Sequence, residues 1–182
     1  MKLSGYTPLQ LPWYPNTMRI PTIGDGSCFF HAIALAYCKI YREGDNNYKV
    51  NFIRQLRYQL ALALSEKYNT LSRGQLPSMS KDMPQYTLDA MQKELNSNHP
   101  VDNLYLELCS EVLGIDIYII DILKRDIYVI GDKELLSKNR NSIVLGYIPG
   151  HYELVGVLER ETFIRTLFPP DHSFITTIKS RF

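Results

Sequence analysis

Apolar residues in the first part of the chain recur at the spacing of amphipathic helices. The first run starts at Cys28 and places apolar side chains three or four positions apart, at Phe29, Ile33, Tyr37 and Ile40. This periodicity predicts a helix with one buried face. Ser27 precedes the run and is a residue type that commonly caps a helix N-terminus.

Three further helices follow from the same pattern. The longest covers residues 48–68, with an apolar face formed by Ile53, Leu56, Leu60 and Leu64. Its solvated side is marked by Arg54, Arg57 and Lys67. Shorter helices are predicted at residues 87–96 and 102–113, the second capped by Asp102 and ended by Gly114. Residues 70–84, which lie between the longest helix and the helix at 87–96, are rich in Ser, Gly and Pro, and this composition predicts a loop.

The last part of the chain has the composition of strands. Residues 115–121, 142–148 and 151–158 are rich in β-branched and aromatic side chains. A turn at Lys124-Arg125 leads into a shorter strand at 126–130, and Pro149-Gly150 predicts a turn between the last two strands. Helices first and strands second indicate an α+β fold, with a small sheet packed between helices.

The length of 182 residues is that of one domain with a full hydrophobic core. Three prolines near the start, at Pro8, Pro12 and Pro15, predict an extended and irregular arm over residues 1–19. The main domain is expected over residues 20–158. Residues 159–182 are expected to form a C-terminal extension that packs on the same domain.

Charge and cysteine usage narrow the function classes. The 20 basic residues nearly cancel the 19 acidic ones, so the chain has no electrostatic footprint for nucleic acid. The most apolar stretch, residues 115–123, contains two aspartates and is too short to span a bilayer. No secretion signal is recognisable. The three cysteines form no CxxC pair, so we expect no metal site and a reducing, cytoplasmic location.

The stretch Gly24-Asp25-Gly26-Ser27-Cys28 places a thiol at the N-terminus of the first helix. Unpaired backbone N–H groups and the helix dipole favour a thiolate there, which makes Cys28 a candidate nucleophile. The alternative is a buried cysteine that acts as a small apolar side chain, which is the interpretation we give Cys38 and Cys109.

A candidate base lies far downstream at His151. Glu153 is two residues on, and side chains two apart on a strand share one face, about 6.8 Å apart. Glu153 would then orient the imidazole ring, as in a catalytic triad. The alternative is an exposed charged pair on an edge strand. The other histidines are less suited: His31 is expected to be packed or partly exposed, His99 lies in a helix breaker and His172 in the tail.

Asp25 has three candidate roles: a local turn, orientation of the histidine, or support of an oxyanion loop. Gly26 permits a positive φ and close backbone approach. An oxyanion hole built from the Cys28 N–H and the preceding turn needs both properties.

These two motifs resemble those of a known family. Asp25-Gly26-Ser27-Cys28-Phe29-Phe30-His31-Ala32-Ile33 resembles the nucleophile motif of OTU (ovarian tumour) cysteine proteases, and His151-Tyr152-Glu153-Leu154-Val155 resembles their histidine motif. The resemblance covers roughly residues 20–158. It implies a papain-like α+β fold and a monomer that hydrolyses isopeptide bonds at the C-terminus of ubiquitin, polyubiquitin or ubiquitin-like modifiers, without a metal or cofactor.

The resemblance also implies residue roles. Cys28 would be the nucleophile, His151 the general base and acid, Glu153 the orienting acid, and Asp25 part of the oxyanion loop or an alternative acid. Tyr152, Gly26 and Ser27 would contact the substrate. The compact chain is similar to OTU proteins of large DNA viruses or intracellular pathogens.

Two departures from the family pattern keep alternatives open. The family usually has Asn or Asp where this chain has the longer Glu153, and it often has Trp-Gly where this chain has His99-Pro100-Val101. Glu153 therefore leaves room for a ubiquitin-binding module with little or no catalysis. A cysteine hydrolase acting on an unrelated amide is a third possibility.

Overall fold

The computed structural model describes residues 5–101, 103–128 and 133–182. In this part of the chain seven strands form one mixed sheet, in which β3 and β5 are parallel and the other pairs antiparallel. The main path runs β1-β2-β6-β5-β3-β4, and β7 pairs with β6. The strands are β1 (Thr7–Pro8), β2 (Thr17–Ile20), β3 (Asp116–Asp121), β4 (Asp126–Ile127), β5 (Ser142–Ile148), β6 (His151–Leu158) and β7 (Ile164–Arg165).

The helices of the described residues are α1 (Cys28–Tyr37), α2 (Lys39–Glu43), α3 (Asn46–Lys67), α4 (Leu76–Met79), α5 (Leu88–Leu95), α6 (Leu106–Leu113), α7 (Lys133–Leu136) and α8 (Ser173–Arg181). Side chains cap two of them as their types predict. Asp45 accepts a hydrogen bond from the Tyr48 N–H at the start of α3, and Thr87 accepts one from the Ala90 N–H at the start of α5. Gly114 ends α6 in the left-handed conformation, with φ 66°.

The sheet lies between two apolar layers, because alternate strand residues point to opposite faces. Ile117, Ile119, Leu145 and Leu154 face the larger core, which is formed with α1, α3, α5 and α6. The residues between them face a smaller core formed with α8: Tyr118, Ile120, Val144 and Val155. This arrangement confirms the predicted α+β class with a sheet between helices.

Helix α1 is buried almost all round, and this fixes where its N-terminus lies. Nine of its ten residues are buried, from Cys28 to Ala36. It packs on both β6 and α3. A helix that is apolar on every side has no free face along which to slide or rotate. The first residue of α1 is therefore held beside the start of β6.

Strands β5 and β6 form a tight hairpin around the predicted turn. Ile148 pairs with His151, so Pro149 and Gly150 alone connect the strands. Gly150 has φ +81°, which a side chain would strain. The predicted bounds of both strands, 142–148 and 151–158, are confirmed.

The first helix ends earlier than its periodicity predicts. Cys38 is extended, with φ −104° and ψ 104°, and Ile40 on α2 is 65% exposed instead of buried. Arg42 donates hydrogen bonds to the carbonyl oxygens of Leu35 and Ala36, so tertiary donors satisfy the end of α1.

Arg57 was expected on the solvated side of the long helix, and this was wrong. It is 1% exposed and makes several buried hydrogen bonds. Hydropathy periodicity assigns any arginine to water, whereas a guanidinium can be buried when its donors all find acceptors.

Two predicted irregular segments contain regular structure. The arm over residues 1–19 includes β1 and most of β2, which pairs with β6, so the start of the chain belongs to the sheet. Pro8 is tolerated because β1 lies at the end of the sheet path. The loop predicted at 70–84 contains a 3₁₀ turn and α4. Asp102, expected as a helix cap, and residues 129–130, expected in a strand, lie outside the described residues.

The C-terminal segment completes the sheet and its second layer. Strand β7 pairs with the end of β6, and α8 buries Phe174, Ile175 and Ile178 in the smaller core. Across the described ranges, no helix is long and apolar enough to cross a membrane. Cys28, Cys38 and Cys109 are free thiols.

The observed end of α1 can be tested with two isoleucines, Ile33 and Ile40. The spacing of apolar residues predicts that both lie on one buried helix face. Ile33 is 0% exposed and Ile40 is 65% exposed. Ile33→Ala is expected to lower the free energy of unfolding by about 2–5 kcal/mol. Ile40→Ala is expected to change it by less than about 0.5 kcal/mol. Urea denaturation followed by circular dichroism measures both, and equal losses would contradict the early helix end.

Candidate active site

Cys28 and His151 line the same cavity, which has a volume of about 270 Å³. Gly26 and Tyr152 line it as well. The remaining walls are formed by Phe29, Pro100, Val101, Asn103, Tyr128, Tyr147 and Gly150. The fold thus brings the predicted nucleophile and the predicted base to one concave site, although they lie far apart in sequence.

A hydrogen bond holds Cys28 against the start of β6. The backbone N–H of Tyr152 donates to Cys28 Sγ at 3.4 Å. Cys28 is the first residue of α1, where the N–H groups have no acceptor within the helix. The sulfur therefore lies where a helix N-terminus meets the residue that follows His151.

A chain of hydrogen bonds that runs from the partly exposed Asp25 to the buried His31 and Tyr41 supports the turn before Cys28. One oxygen of Asp25 accepts from the Ser27 N–H at 3.0 Å, and the other is 3.0 Å from Nε2 of His31. Nδ1 of His31 is hydrogen-bonded to the Tyr41 hydroxyl. Burial raises the pKa of Tyr41, so this hydroxyl keeps its proton and donates it. The network is satisfied with a neutral His31 that donates from Nε2 to Asp25.

Two constraints require glycine at position 26. Its φ of +87° strains any side chain. A Cβ atom built there would also lie 2.3 Å from the Asn98 carbonyl oxygen. The backbone of residue 26 thus passes directly against the segment that leads to Pro100 and Val101 on the cavity wall.

Ser27 occupies the N-cap position of α1, but its side chain does not cap the helix. Its Oγ accepts a hydrogen bond from Nη1 of Arg57 at 2.7 Å, and the residue is 4% exposed. The cavity walls do not include Ser27. Its side chain lies beneath the turn, whereas Gly26 and Tyr152 face the cavity.

The hydroxyl of Thr22 lies beside the His151 ring. Thr22 Oγ1 is 3.5 Å from Nε2 of His151 and donates its proton to the Tyr152 carbonyl oxygen at 2.6 Å. With its one proton used, the hydroxyl can only accept from the ring. In the neutral tautomer with the proton on Nε2, the ring would donate to this hydroxyl, and Nδ1 would be the unprotonated nitrogen.

Thr22 was not predicted as a site residue, because it belongs to neither sequence motif. Thr22 lies two residues after the end of β2, and the pairing of β2 with β6 brings it to Tyr152. Only the order of strands in the sheet places it there. When two paired strands are far apart in sequence, the residues around either strand carry no sign of the pairing.

Glu153 lies on the same face of β6 as His151, but its carboxylate binds elsewhere. Its two oxygens accept from Nε and Nη2 of Arg19 at 2.9 and 3.0 Å. Within the described residues no hydrogen bond joins Glu153 to His151. Since Asp25 is bound to Ser27 and His31, both candidate acids are engaged away from the His151 ring.

Aromatic rings narrow the cavity. The Phe29 and Tyr152 rings meet edge to face at 5.2 Å, and Tyr128 stacks on Tyr147 at 5.0 Å between centroids. Such contacts hold the rings in fixed positions. A larger groove of about 960 Å³ runs between α1, α2 and the residues around β7, but neither Cys28 nor His151 lines it. The parts of the chain described here contain no cluster of ligating side chains that would hold a metal.

Similar folds among solved structures are OTU domains. An ovarian tumor (OTU) domain in complex with ubiquitin matches with a TM-score of 0.60 at 18% identity, covering 91% of this chain and 83% of that chain. The OTU domain of OTUD1 gives a TM-score of 0.51 at 17% identity, with 77% and 85% covered. The viral OTU domain protease from Taggert virus gives 0.52 at 12%, with 87% and 96% covered.

No protein-family model and no curated protein matches the sequence. The structural likeness nevertheless extends over most of this chain and of each of these domains. The chain therefore has the OTU-domain fold, and the resemblance predicted from the two motifs is confirmed for the fold.

The buried His31 makes stability depend on pH. Burial lowers its pKa from the ordinary value of 6.5, although the hydrogen bond to Asp25 acts in the opposite direction. The unfolded chain therefore binds a proton that native His31 does not, and its stabilising contribution is lost as the pH falls below about 6.5. The difference in unfolding free energy between wild type and His31→Gln is expected to shrink between about pH 7.5 and about pH 5.5.

Urea denaturation at several pH values measures this difference. Using the difference removes the contribution of groups that titrate equally in both proteins. A difference that stays constant, or grows as the pH falls, would contradict a neutral buried His31.

Proposed function

We propose that this protein is a cysteine-dependent deubiquitinase that hydrolyses isopeptide bonds at the C-terminus of ubiquitin. The observation that carries the proposal is the cavity in which Cys28, at the N-terminus of α1, lies beside the strand that begins with His151. A similar fold solved in complex with ubiquitin supports ubiquitin as the partner. The aromatic walls suit a narrow channel for a Gly-Gly tail.

The reaction begins when His151 takes the proton of the Cys28 thiol, and the resulting thiolate attacks the carbonyl carbon of the terminal glycine. A C–S bond forms, and the N–H of Cys28 with the preceding turn stabilises the negative oxygen. His151 gives a proton to the leaving lysine amine as the C–N bond breaks. It then takes a proton from water, which attacks the thioester and releases the carboxylate and the thiol.

Thr22 is the positioning residue of His151 in this proposal. Its hydroxyl favours the tautomer with a proton on Nε2, which leaves Nδ1 to exchange a proton with Cys28. Glu153 acts on His151 only indirectly. By binding Arg19 on β2 it ties β6 to the strand that leads to Thr22.

Cys28→Ala is expected to abolish cleavage, because the attacking atom is removed while the buried side chain loses little volume. Incubation with a panel of di-ubiquitins, followed on gels, measures this activity. Cys38→Ala is the matched control, since Cys38 is also a free thiol but does not line the cavity. It is expected to cleave as wild type does.

Unchanged cleavage by Cys28→Ala would rule out the proposed mechanism. The second candidate function is a ubiquitin-binding module with little catalysis, favoured by the engagement of both Glu153 and Asp25 away from the His151 ring. A ubiquitin probe with a C-terminal electrophile separates the two. Covalent capture at Cys28 supports the enzyme, whereas reversible binding without capture supports the module.

Three substitutions compare how much the groups around His151 contribute to kcat. Thr22→Val removes the hydroxyl at nearly constant volume and is expected to lower kcat about 10- to 100-fold by freeing the ring. Glu153→Gln keeps the side-chain shape and one acceptor for Arg19, and is expected to lower kcat less. Asp25→Asn is expected to affect kcat through the turn before Cys28, where Asp25 binds the Ser27 N–H, and not through His151. Steady-state cleavage of a fluorogenic ubiquitin substrate gives kcat and KM for each.

A larger loss in Glu153→Gln than in Thr22→Val would contradict this ranking. It would identify Glu153 as the group that orients the imidazole during the reaction. Thermal denaturation of each variant shows whether a loss of activity reflects loss of the fold.

A further inference from the structure

A buried arginine lies directly beneath the nucleophile turn. Arg57, in the middle of α3, is 1% exposed, and its guanidinium packs 4.8 Å from the centroid of the Phe30 ring. A guanidinium is expensive to remove from water, and an apolar side chain of similar volume often stabilises a core as well or better. The particular acceptors of Arg57 are therefore informative.

Those acceptors belong to two segments of the chain. Nη1 donates to Ser27 Oγ at 2.7 Å. Nε donates to the Leu95 carbonyl oxygen at 2.8 Å, and Nη2 donates to those of Glu94 and His99 at 2.9 and 3.0 Å. The fork thus joins the turn before Cys28 to the end of α5 and the segment that follows it.

Both segments contribute to the walls of the cavity. Gly26 and Cys28 line it from the turn, and Pro100 and Val101 line it from the segment after α5. The segments touch where Gly26 passes the Asn98 carbonyl oxygen. The rigid, planar fork of an arginine can set the separation of two such segments, which a single-point donor such as lysine cannot.

We propose that Arg57 is a positioning residue for the Cys28 nucleophile. It holds the Ser27–Cys28 peptide at a set distance from residues 94–101, so that the Cys28 N–H and Sγ face the cavity. Arg57 touches no reacting atom, and it acts through Ser27. The inference rests on the proposed function for its catalytic consequence, but not for its effect on the thiol.

Ser27→Ala tests the link with the smallest change, because it removes one acceptor of Arg57. The Ser27 side chain makes no capping hydrogen bond, so an effect of the substitution does not arise from α1 capping. Ser110→Ala is a matched control. Ser110 is also a buried serine, 1% exposed, whose Oγ accepts from an arginine, Arg140, at 2.7 Å, and it does not line the cavity.

The first measurement needs no ubiquitin. The rate of alkylation of Cys28 by iodoacetamide, followed by mass spectrometry of its peptide, is expected to fall about tenfold in Ser27→Ala. In Ser110→Ala the alkylation rate is expected to stay within about twofold of wild type, although that variant loses two hydrogen bonds, to Arg140 and to the Ile115 carbonyl oxygen, and both variants are expected to melt at lower temperature. Equal alkylation rates in the two variants would overturn the proposal.

The second measurement uses the reaction. Ser27→Ala is expected to lower kcat about 10- to 100-fold with little change in KM, since the oxyanion is held only in the transition state. Arg57→Lys keeps the charge but loses the fork, and its double variant with Ser27→Ala should be no worse than Arg57→Lys alone. If the fold losses in kcat of the two single variants multiply in the double variant, Arg57 does not act through Ser27, and the proposal is contradicted.

The outcomes for this inference and for the proposed function are separable. A wild-type protein that cleaves no ubiquitin removes the proposed function, while the alkylation rates still decide the role of Arg57. If Arg57→Lys does not fold, the comparison of Ser27→Ala with Ser110→Ala decides the question.

Discussion

The packing of α1 against β6 is the constraint on which the site depends. The helix is buried on nearly every side, so its N-terminus can lie in one place only. That place is the start of β6, where the Tyr152 N–H reaches Cys28 Sγ. A helix with one exposed face could rotate or slide by small amounts, and the thiol would then lose its fixed relation to His151. Burial of α1 thus gives both core stability and the geometry of the cavity.

Two polar groups, one partly exposed and the other buried, hold the turn that precedes α1. From one side, the Asp25 carboxylate binds the Ser27 N–H and His31. From the other, Arg57 binds Ser27 Oγ. Each polar atom in this set has its partner, and that satisfaction makes a polar network in a core tolerable. Both groups converge on Ser27, the residue before Cys28, so the peptide whose placement matters most for the proposed chemistry is held from two sides.

The order of the strands in the sheet determines which residues His151 and Glu153 contact. Residues two apart on a strand share a face, so His151 and Glu153 were natural partners from their spacing. In the sheet, however, β2 lies beside β6 and brings Arg19 to Glu153 and Thr22 to His151. A carboxylate with a guanidinium in bidentate reach binds it in preference to a neutral ring. The neighbouring strand therefore decides which partner each side chain of β6 has.

The sequence by itself determined the elements whose signals are local. Periodicity and turn residues, which act over a few positions, predict the bounds of β5 and β6, the turn at Gly150 and the start of α1 at Cys28. The resemblance to OTU motifs likewise rests on two short runs of consecutive residues. Tertiary structure alone decided that Arg57 is buried, that residues 17–20 belong to the sheet, and that Thr22 adjoins His151. Each of these depends on a partner distant in sequence, and a side chain's type does not reveal which distant acceptor or strand the folded chain will bring to it.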